Sequence, residues 1–259
     1  MINLNLENKV ALVTGSGEGI GRGCALVLAQ AGAEVIVNDI NPMVGEKTAE
    51  DVRKLGRRSL FVEADVSDAM GVKAMFAAVK QEFSAVHILV NNAGFNLFKG
   101  IQDTSIDEWE RIFAVDVRGL YLMTQTFLPL LKAAGSASVI NIASVHAQAT
   151  VANITAYAAA KGAVVAMGRS LCQELGPLGI RVNTISPGFV MTPLLERWLN
   201  SEPDREATMA RVNGYHPIKR IGAPEDIGYL VAFLGSDLSS NITGQNITSD
   251  GGLTTRLMH

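Results

Sequence analysis

Seven short runs of apolar, mostly β-branched residues punctuate the chain: "VALVTG" from residue 10, "EVIVND" from 34, "SLFVEAD" from 59, "VHILVNNAG" from 86, "ASVINIAS" from 137, "IRVNTISPG" from 180 and "GQNITSDGG" from 244. Each has the length of a strand. Between them lie longer segments whose apolar positions recur at helical spacing, among them 19–32, 69–83, 106–133 and 153–176. The strand runs are too apolar to leave one face wet, so the alternation predicts a parallel sheet covered by helices on both sides. No linker, short repeat or composition break divides the chain, and residues 1–259 read as one α/β domain with a doubly wound parallel sheet. From Thr192 to Pro217 polar and apolar residues mix without a clear period, which predicts an irregular insertion that serves as a substrate lid over about residues 190–217.

Hydrophobic residues make up 48% of the chain and charged residues 18%, with a net charge of −3. That balance describes a compact protein with no electrostatic footprint for nucleic acid or an anionic membrane. Cys24 and Cys172 sit among apolar helix-type neighbours, which predicts buried thiols in a reducing compartment. The opening "MINLNLENKVALVTG" lacks the order of a signal peptide, and no apolar stretch approaches the roughly 18 residues of a membrane span. A cytoplasmic location is therefore expected. No cluster of His, Cys and carboxylate has metal-ligand spacing, so no catalytic metal is expected.

"VALVTGSGEGIGRGCALVLAQAG" passes from the first strand through a glycine-rich turn into a helix. Such a turn lets backbone amides and the positive end of a helix approach a pyrophosphate. Its glycines, Gly15, Gly17, Gly19, Gly21 and Gly23, depart from the G-x-G-x-x-G spacing, so the loop alone does not separate a phosphate cradle from an ordinary turn. Asp39 ends the next strand about 20 residues on, where a carboxylate accepts hydrogen bonds from adenosine ribose hydroxyls. The two features together point to a dinucleotide. In "TAYAAAKGA", Tyr157 and Lys161 lie four apart and leave one face of a helix. On spacing alone, that pair reads first as a packed tyrosine and a solvated lysine.

With "TGSGEGIG" (14–21), "NNAG" (91–94), "DVSD" (65–68), Ser144 in "NIASVHA", the Tyr157 and Lys161 pair, "RVNTISPG" (181–188), Thr192 and "GQNITSDGG" in that order, the sequence resembles the short-chain dehydrogenase/reductase family in its single-domain branch of about 250 residues. The resemblance spans nearly the whole chain. It implies a Rossmann-type fold and NAD-dependent interconversion of a secondary alcohol and a ketone, with Tyr157 as general acid and base. It further implies that Ser144 hydrogen-bonds the substrate oxygen and that Lys161 binds nicotinamide ribose hydroxyls. Cofactor contacts are implied at Gly15, Gly17, Glu18, Gly19, Ile20 and Gly21, with Ile20 near the nicotinamide, at Asp39, at Asp65 and Val66 beside the adenine, and at Asn92, Ala93 and Gly94 beside a ribose. Thr192 and the backbone from Pro187 through Gly188 to Val190 would hold the carboxamide. Ser144 is also readable as a plain cap, and Asn92 as a residue that only fixes its turn.

The chemistry explains the lysine. A phenol titrates near 10, and lowering it by about three units requires roughly 4 kcal/mol of preference for the phenolate. An ammonium about 4 Å away supplies a similar amount at an effective dielectric of about 20. Lys161 is therefore expected to lower the Tyr157 pKa. Glu18 and Asp39 would meet an adenosine 2′-phosphate with negative charge, which favours NAD over NADP. Substrate contacts are expected from Phe95, Phe98, His146, Gln148, Phe189 and Trp198, with Arg197 or Arg211 in reach of an anion. The partner is then a small-molecule alcohol or ketone. A 3-oxoacyl thioester (acyl-carrier-protein) reductase and a catalytically weak nucleotide-binding regulator stand as alternatives.

In "AVDVRG", Asp116 replaces the asparagine that the family usually places beside the catalytic lysine. Either its carboxylate offsets part of the field of Lys161, or the family role belongs to its backbone carbonyl and the side chain is replaceable. The resemblance also implies a homotetramer that pairs the helices around 108–133 and 154–175, and the small residues of "AYAAAKGAVVAMG" exceed what one core-facing stripe requires.

Overall fold

The computed structural model describes residues 4–255. The strands are β1 (Val10–Thr14), β2 (Glu34–Asp39), β3 (Ser59–Glu63), β4 (Ile88–Asn91), β5 (Ala137–Ile142), β6 (Ile180–Pro187) and β7 (Asn246–Ser249). They form one sheet in the order β3-β2-β1-β4-β5-β6-β7, and every neighbouring pair is parallel. The seven apolar runs are these seven strands. The helices are α1 (Gly19–Gln30), α2 (Pro42–Lys54), α3 (Ala69–Glu82), α4 (Ile106–Phe113), α5 (Leu120–Ala133), α6 (Thr155–Leu175), α7 (Pro193–Ser201), α8 (Arg205–Tyr215) and α9 (Pro224–Gly235).

Alternate residues of each strand enter two cores. On one face Leu12, Ile36, Leu89 and Val139 pack with Met75, Phe127 and Val164 from α3, α5 and α6. On the other, Val13, Val37, Val90 and Ile140 pack with Leu28, Val52 and Val231 from α1, α2 and α9. Burial on both faces accounts for the nearly unbroken apolar runs. Each such side chain contributes about 1.5–3 kcal/mol relative to leaving it exposed.

From β1 the chain builds outward through β2 and β3, then returns to place β4 on the other side of β1. The strand order reverses there, and a crevice opens beyond the carboxyl ends of β1 and β4, the position at which open α/β sheets bind ligands.

Two elements depart from the sequence pattern. The helix expected over 106–133 is broken: α4 gives way to a π-helical turn, Ala114–Gly119, before α5 begins. A wider turn changes which side chains face inward without ending the helix, and hydrophobic spacing carries no sign of it. The stretch from Thr192 to Pro217, expected to be irregular, holds α7 and α8. Thr192 Oγ1 accepts the Leu195 amide at 3.3 Å, Asp204 Oδ1 accepts the Ala207 amide at 2.9 Å, and Pro193 opens α7. Caps start these helices where periodicity is weak.

Candidate active site

The glycine loop joins β1 to α1. Gly19 holds φ +54° at the start of the helix, and a Cβ at Gly21 would stand 2.2 Å from the Gly15 carbonyl oxygen. Neither position accepts another residue without strain. Glu18 stands at the N-cap of α1 but makes no side-chain cap bond, so the first-turn amides are left for an anion. The Asp39 carboxylate lies under the loop, accepting the Gly17 amide at 2.8 Å and the Asn41 amide at 2.9 Å. These features fit the pyrophosphate and ribose end of a dinucleotide.

Beyond β4, Asn92 Nδ2 donates to the carbonyls of Thr14 and Gly15, each at 2.9 Å. Thr14 Oγ1 accepts the amides of Asn92 and Ala93, each at 3.0 Å. The side chain of Asn92 therefore ties the end of β4 to the start of the glycine loop. Thr14 was not singled out in the sequence as a residue of this site; its place just before the first glycine is the signal that marks it. Asp65 Oδ1 accepts from the amide and hydroxyl of Ser67, and Val66 beside it is buried. Thr192 lies against Gly19, so the start of α7 meets the glycine loop. Gly188 N donates to Ser249 O at 3.0 Å beyond β6, where Pro187 ends, and Val190 bridges to Gly222. Ile20 sits in the first turn of α1 and packs against the β1 side of the core.

The expected catalytic residues come together at the carboxyl end of β5. Ser144 follows the strand in extended conformation, its hydroxyl accepts the His146 amide at 3.2 Å, and the same hydroxyl helps to pull the Tyr157 phenol pKa down. The cap reading of Ser144 is met by the bond to the His146 amide, and the same residue stands next to Tyr157. Tyr157 and Lys161 are buried on α6, with Lys161 Nζ 5.5 Å from the phenol ring centroid. Nζ also donates to the Ile142 carbonyl at 3.1 Å and pairs with Asp116 Oδ2 at 3.0 Å. No residue type marks a backbone acceptor such as Ile142, so only the fold reveals it.

The electrostatics correct one expectation. Burial pushes the Tyr157 phenol above its ordinary value, although the Lys161 ammonium and the Ser144 hydroxyl pull it down; Asp116 adds to the rise. The field of Lys161 is present, but the free protein does not show the net lowering expected from spacing. Desolvation opposes the charged form, and sequence spacing does not report it. For Lys161, burial favours the neutral amine, yet Asp116 and Tyr157 hold it above the ordinary lysine range. The condition for the first reading of Asp116, a carboxylate close to Lys161, is met.

The expected substrate residues divide. The His146 ring meets the Tyr157 ring edge-on at 5.9 Å, and its Nδ1 lies 3.0 Å from Thr150 Oγ1; burial lowers its pKa. Phe95 packs in the apolar group that contains Tyr157. Gln148 Nε2 donates to Thr248 Oγ1 at 2.9 Å, and Phe189 stacks edge-on with His216 at 5.9 Å. Trp198 is half-exposed on α7, and Phe98 is exposed. Arg211 pairs with Glu202 at 3.9 Å. His216, which the sequence did not suggest, is buried with Nδ1 2.8 Å from Val212 O. Among the described residues no group of three or more His, Cys, Asp or Glu side chains could hold a metal ion, and no helix is long and apolar enough to cross a membrane. Both cysteines are buried, and burial pushes the Cys24 thiol up to about 12.

Known proteins resemble this chain over nearly its whole length. A family model described as enoyl-(acyl carrier protein) reductase matches residues 15–254. The chain is 34% identical over 251 residues to a cyclohexanol dehydrogenase of Acinetobacter sp. (strain SE19), covering 96% of each. It resembles the crystal structure of a gluconate 5-dehydrogenase from Burkholderia cenocepacia J2315 in complex with NADP and tartrate, with a TM-score of 0.91, 30% identity and 98% of each chain covered. A 7α-hydroxysteroid dehydrogenase complexed with NADH and 7-oxo glycochenodeoxycholic acid gives a TM-score of 0.90 with 31% identity over 96% of each chain. With a Rossmann-type sheet and a buried serine, tyrosine and lysine in the family's order, the chain belongs to the short-chain dehydrogenase/reductase family of oxidoreductases.

Proposed function

We propose that this protein is an NAD-dependent dehydrogenase that interconverts a secondary alcohol and a ketone. The observation that carries the reading is the meeting of Ser144, Tyr157 and Lys161 in one buried group at the end of β5. Bound at the glycine loop, NAD would supply the hydride acceptor or donor. Ser144 would orient the substrate oxygen and stabilise charge building on it. Tyr157 Oη takes the hydroxyl proton during oxidation and returns it during reduction, while Lys161 stabilises the phenolate. Asp39 and Glu18 place negative charge where an NADP 2′-phosphate would lie, which supports NAD.

Phe95 beside Tyr157 supplies an apolar wall, and His146 beyond it supplies a polar edge. That combination suits a ring-bearing alcohol with a polar substituent, in keeping with the cyclic substrates named for two of the relatives. Helices α7 and α8 would form the lid over the substrate.

A turnover screen with NAD and NADP against cyclic alcohols, hydroxysteroids, polyols and 3-oxoacyl thioesters tests the reading. Oxidation of a secondary alcohol with NAD is expected. Activity confined to oxoacyl thioesters would replace the substrate class, and turnover of none would favour the regulator.

A further inference from the structure

The Asp116 side chain is fully buried within the π-helical turn, and each of its oxygens faces a donor. Oδ2 is 3.0 Å from Lys161 Nζ, while Oδ1 accepts the Phe95 amide at 3.1 Å. Oδ1 is hydrogen-bonded, while Oδ2 makes no hydrogen bond and meets the ammonium as an ion pair. An asparagine in the same pose would turn its NH₂ toward one of them, donor against donor. The carboxyl group also lies close to Gly94, where a Cβ would be 2.8 Å from Oδ2. One acid thus spans the catalytic lysine and the first residues of the segment whose Phe95 packs beside Tyr157.

The groups around Tyr157 are few. Lys161 approaches from α6 and Asp116 from the π-helical turn; Ser144 and His146 come from the segment after β5. Burial depresses the His146 pKa below the ordinary histidine value, which favours its neutral form. From α4, Arg111 stands 5.6 Å from the Phe95 ring centroid. Next to the phenol, the ammonium of Lys161 and the carboxylate of Asp116 therefore sum to zero formal charge.

We propose that Asp116 is a positioning residue for the alcohol–ketone reaction: by neutralising Lys161 and tethering it to the Phe95 amide, it confines alcohol oxidation to alkaline solution and lets carbonyl reduction run through neutral pH. This rests on the dehydrogenase reading above. In oxidation Tyr157 takes the hydroxyl proton and so must begin as phenolate, while a bound nicotinamide cofactor would accept the hydride from the carbinol carbon. Reduction reverses both transfers and begins from phenol. A neutral Lys161–Asp116 pair favours phenol.

Ultraviolet difference titration of the free protein reads phenolate directly, and the transition lost in Tyr157→Phe identifies Tyr157 among the four tyrosines. In Asp116→Asn, the Tyr157 midpoint is expected to fall by about one pH unit, a tenfold gain in phenolate at a given pH. Asp116→Ser removes the charge without opposing two donors, and circular dichroism verifies that each variant is folded. The acid limb of the oxidation rate should move down with the midpoint. Midpoints that stay or rise in both folded variants, with turnover otherwise normal, would overturn the role of Asp116 alone. A lowered midpoint without turnover of any alcohol or ketone would instead overturn the dehydrogenase reading on which the role rests.

Discussion

The Gly17 amide donates to Asp39 Oδ2 at 2.8 Å, so the residue that ends β2 also supports the glycine loop. A Cβ at Gly17 would stand 2.9 Å from that same oxygen. The carboxylate thereby has two roles, one mechanical and one electrostatic. Its charge disfavours a 2′-phosphate, and one unfavourable contact of about 1.4 kcal/mol is already tenfold. Catalytic efficiency with NAD is expected to exceed that with NADP by at least tenfold. Asp39→Ser should narrow the ratio and raise the KM for NAD as the loop loses its acceptor. Equal or better efficiency of the wild type with NADP would overturn the assignment.

Tyr157→Phe keeps the ring in its apolar group and removes the transferable proton. Turnover is expected to fall by about 10²-fold or more, with NAD affinity by calorimetry nearly unchanged. Retention of a tenth of the wild-type rate would show that another group moves the proton.

Lys161→Ala should lose turnover and weaken cofactor binding. It would also leave Asp116 as a buried, unpaired charge, a change that typically costs about 3–5 kcal/mol. The melting temperature should therefore fall well below that of Tyr157→Phe. The double variant Lys161→Met with Asp116→Leu should recover much of that loss while staying inactive; no recovery would mean that the pair is not what destabilises the single variant.

The chain announced its strands because both faces of the sheet are buried, and Leu12 and Val13 enter opposite cores yet are equally apolar. It also announced the meeting of Tyr157 and Lys161, since a helix fixes residues four apart on one face. It gave no sign that burial outweighs the ammonium at Tyr157, because desolvation depends on everything packed around the ring. The π-helical turn was illegible for a related reason. One widened turn leaves the hydrophobic pattern intact but decides that Asp116 faces Lys161. Helix α2 was not singled out because the positions it buries are Gly45, Thr48, Ala49 and Val52, a stripe of small side chains among polar ones.

Asp250 gathers the turn after β7. Its carboxylate accepts the Gly252 amide at 2.9 Å, the Thr254 amide at 2.8 Å and the Thr254 hydroxyl at 2.7 Å. Burial raises its pKa, but these hydrogen bonds together hold it below the ordinary aspartate value. A depressed pKa contributes stability above the unfolded value, near 4, which is lost as pH falls through the folded value. Asp250→Asn is expected to cost about 2 kcal/mol at neutral pH, in the range for hydrogen bonds to a charged group. Denaturant titrations at several pH values should show the gap between wild type and variant closing below about pH 4. A gap independent of pH would mean that the charge is not what the turn requires.

Association should follow from the outer faces of α4, α5 and α6. On α6, a Cβ at Gly162 would meet nothing within 4 Å, so this face is not filled by the chain's own packing. Ile106 at the start of α4 is 75% exposed, and Tyr121 on α5 is 46% exposed. Apolar surface of this kind is costly to leave in water, and helices carrying it on each subunit make a self-complementary contact about a two-fold axis. The expected assembly is a homotetramer in which one of its two-fold contacts pairs these helices. Tyr121→Glu would place a carboxylate opposite its own symmetry mate or in an apolar seam, and either arrangement opposes association. Light scattering at micromolar concentration should therefore report a tetramer for the wild type and a smaller species for Tyr121→Glu, with circular dichroism unchanged because Tyr121 faces outward. A wild-type monomer would refute the assembly, and a Tyr121→Glu tetramer would move the interface off this face.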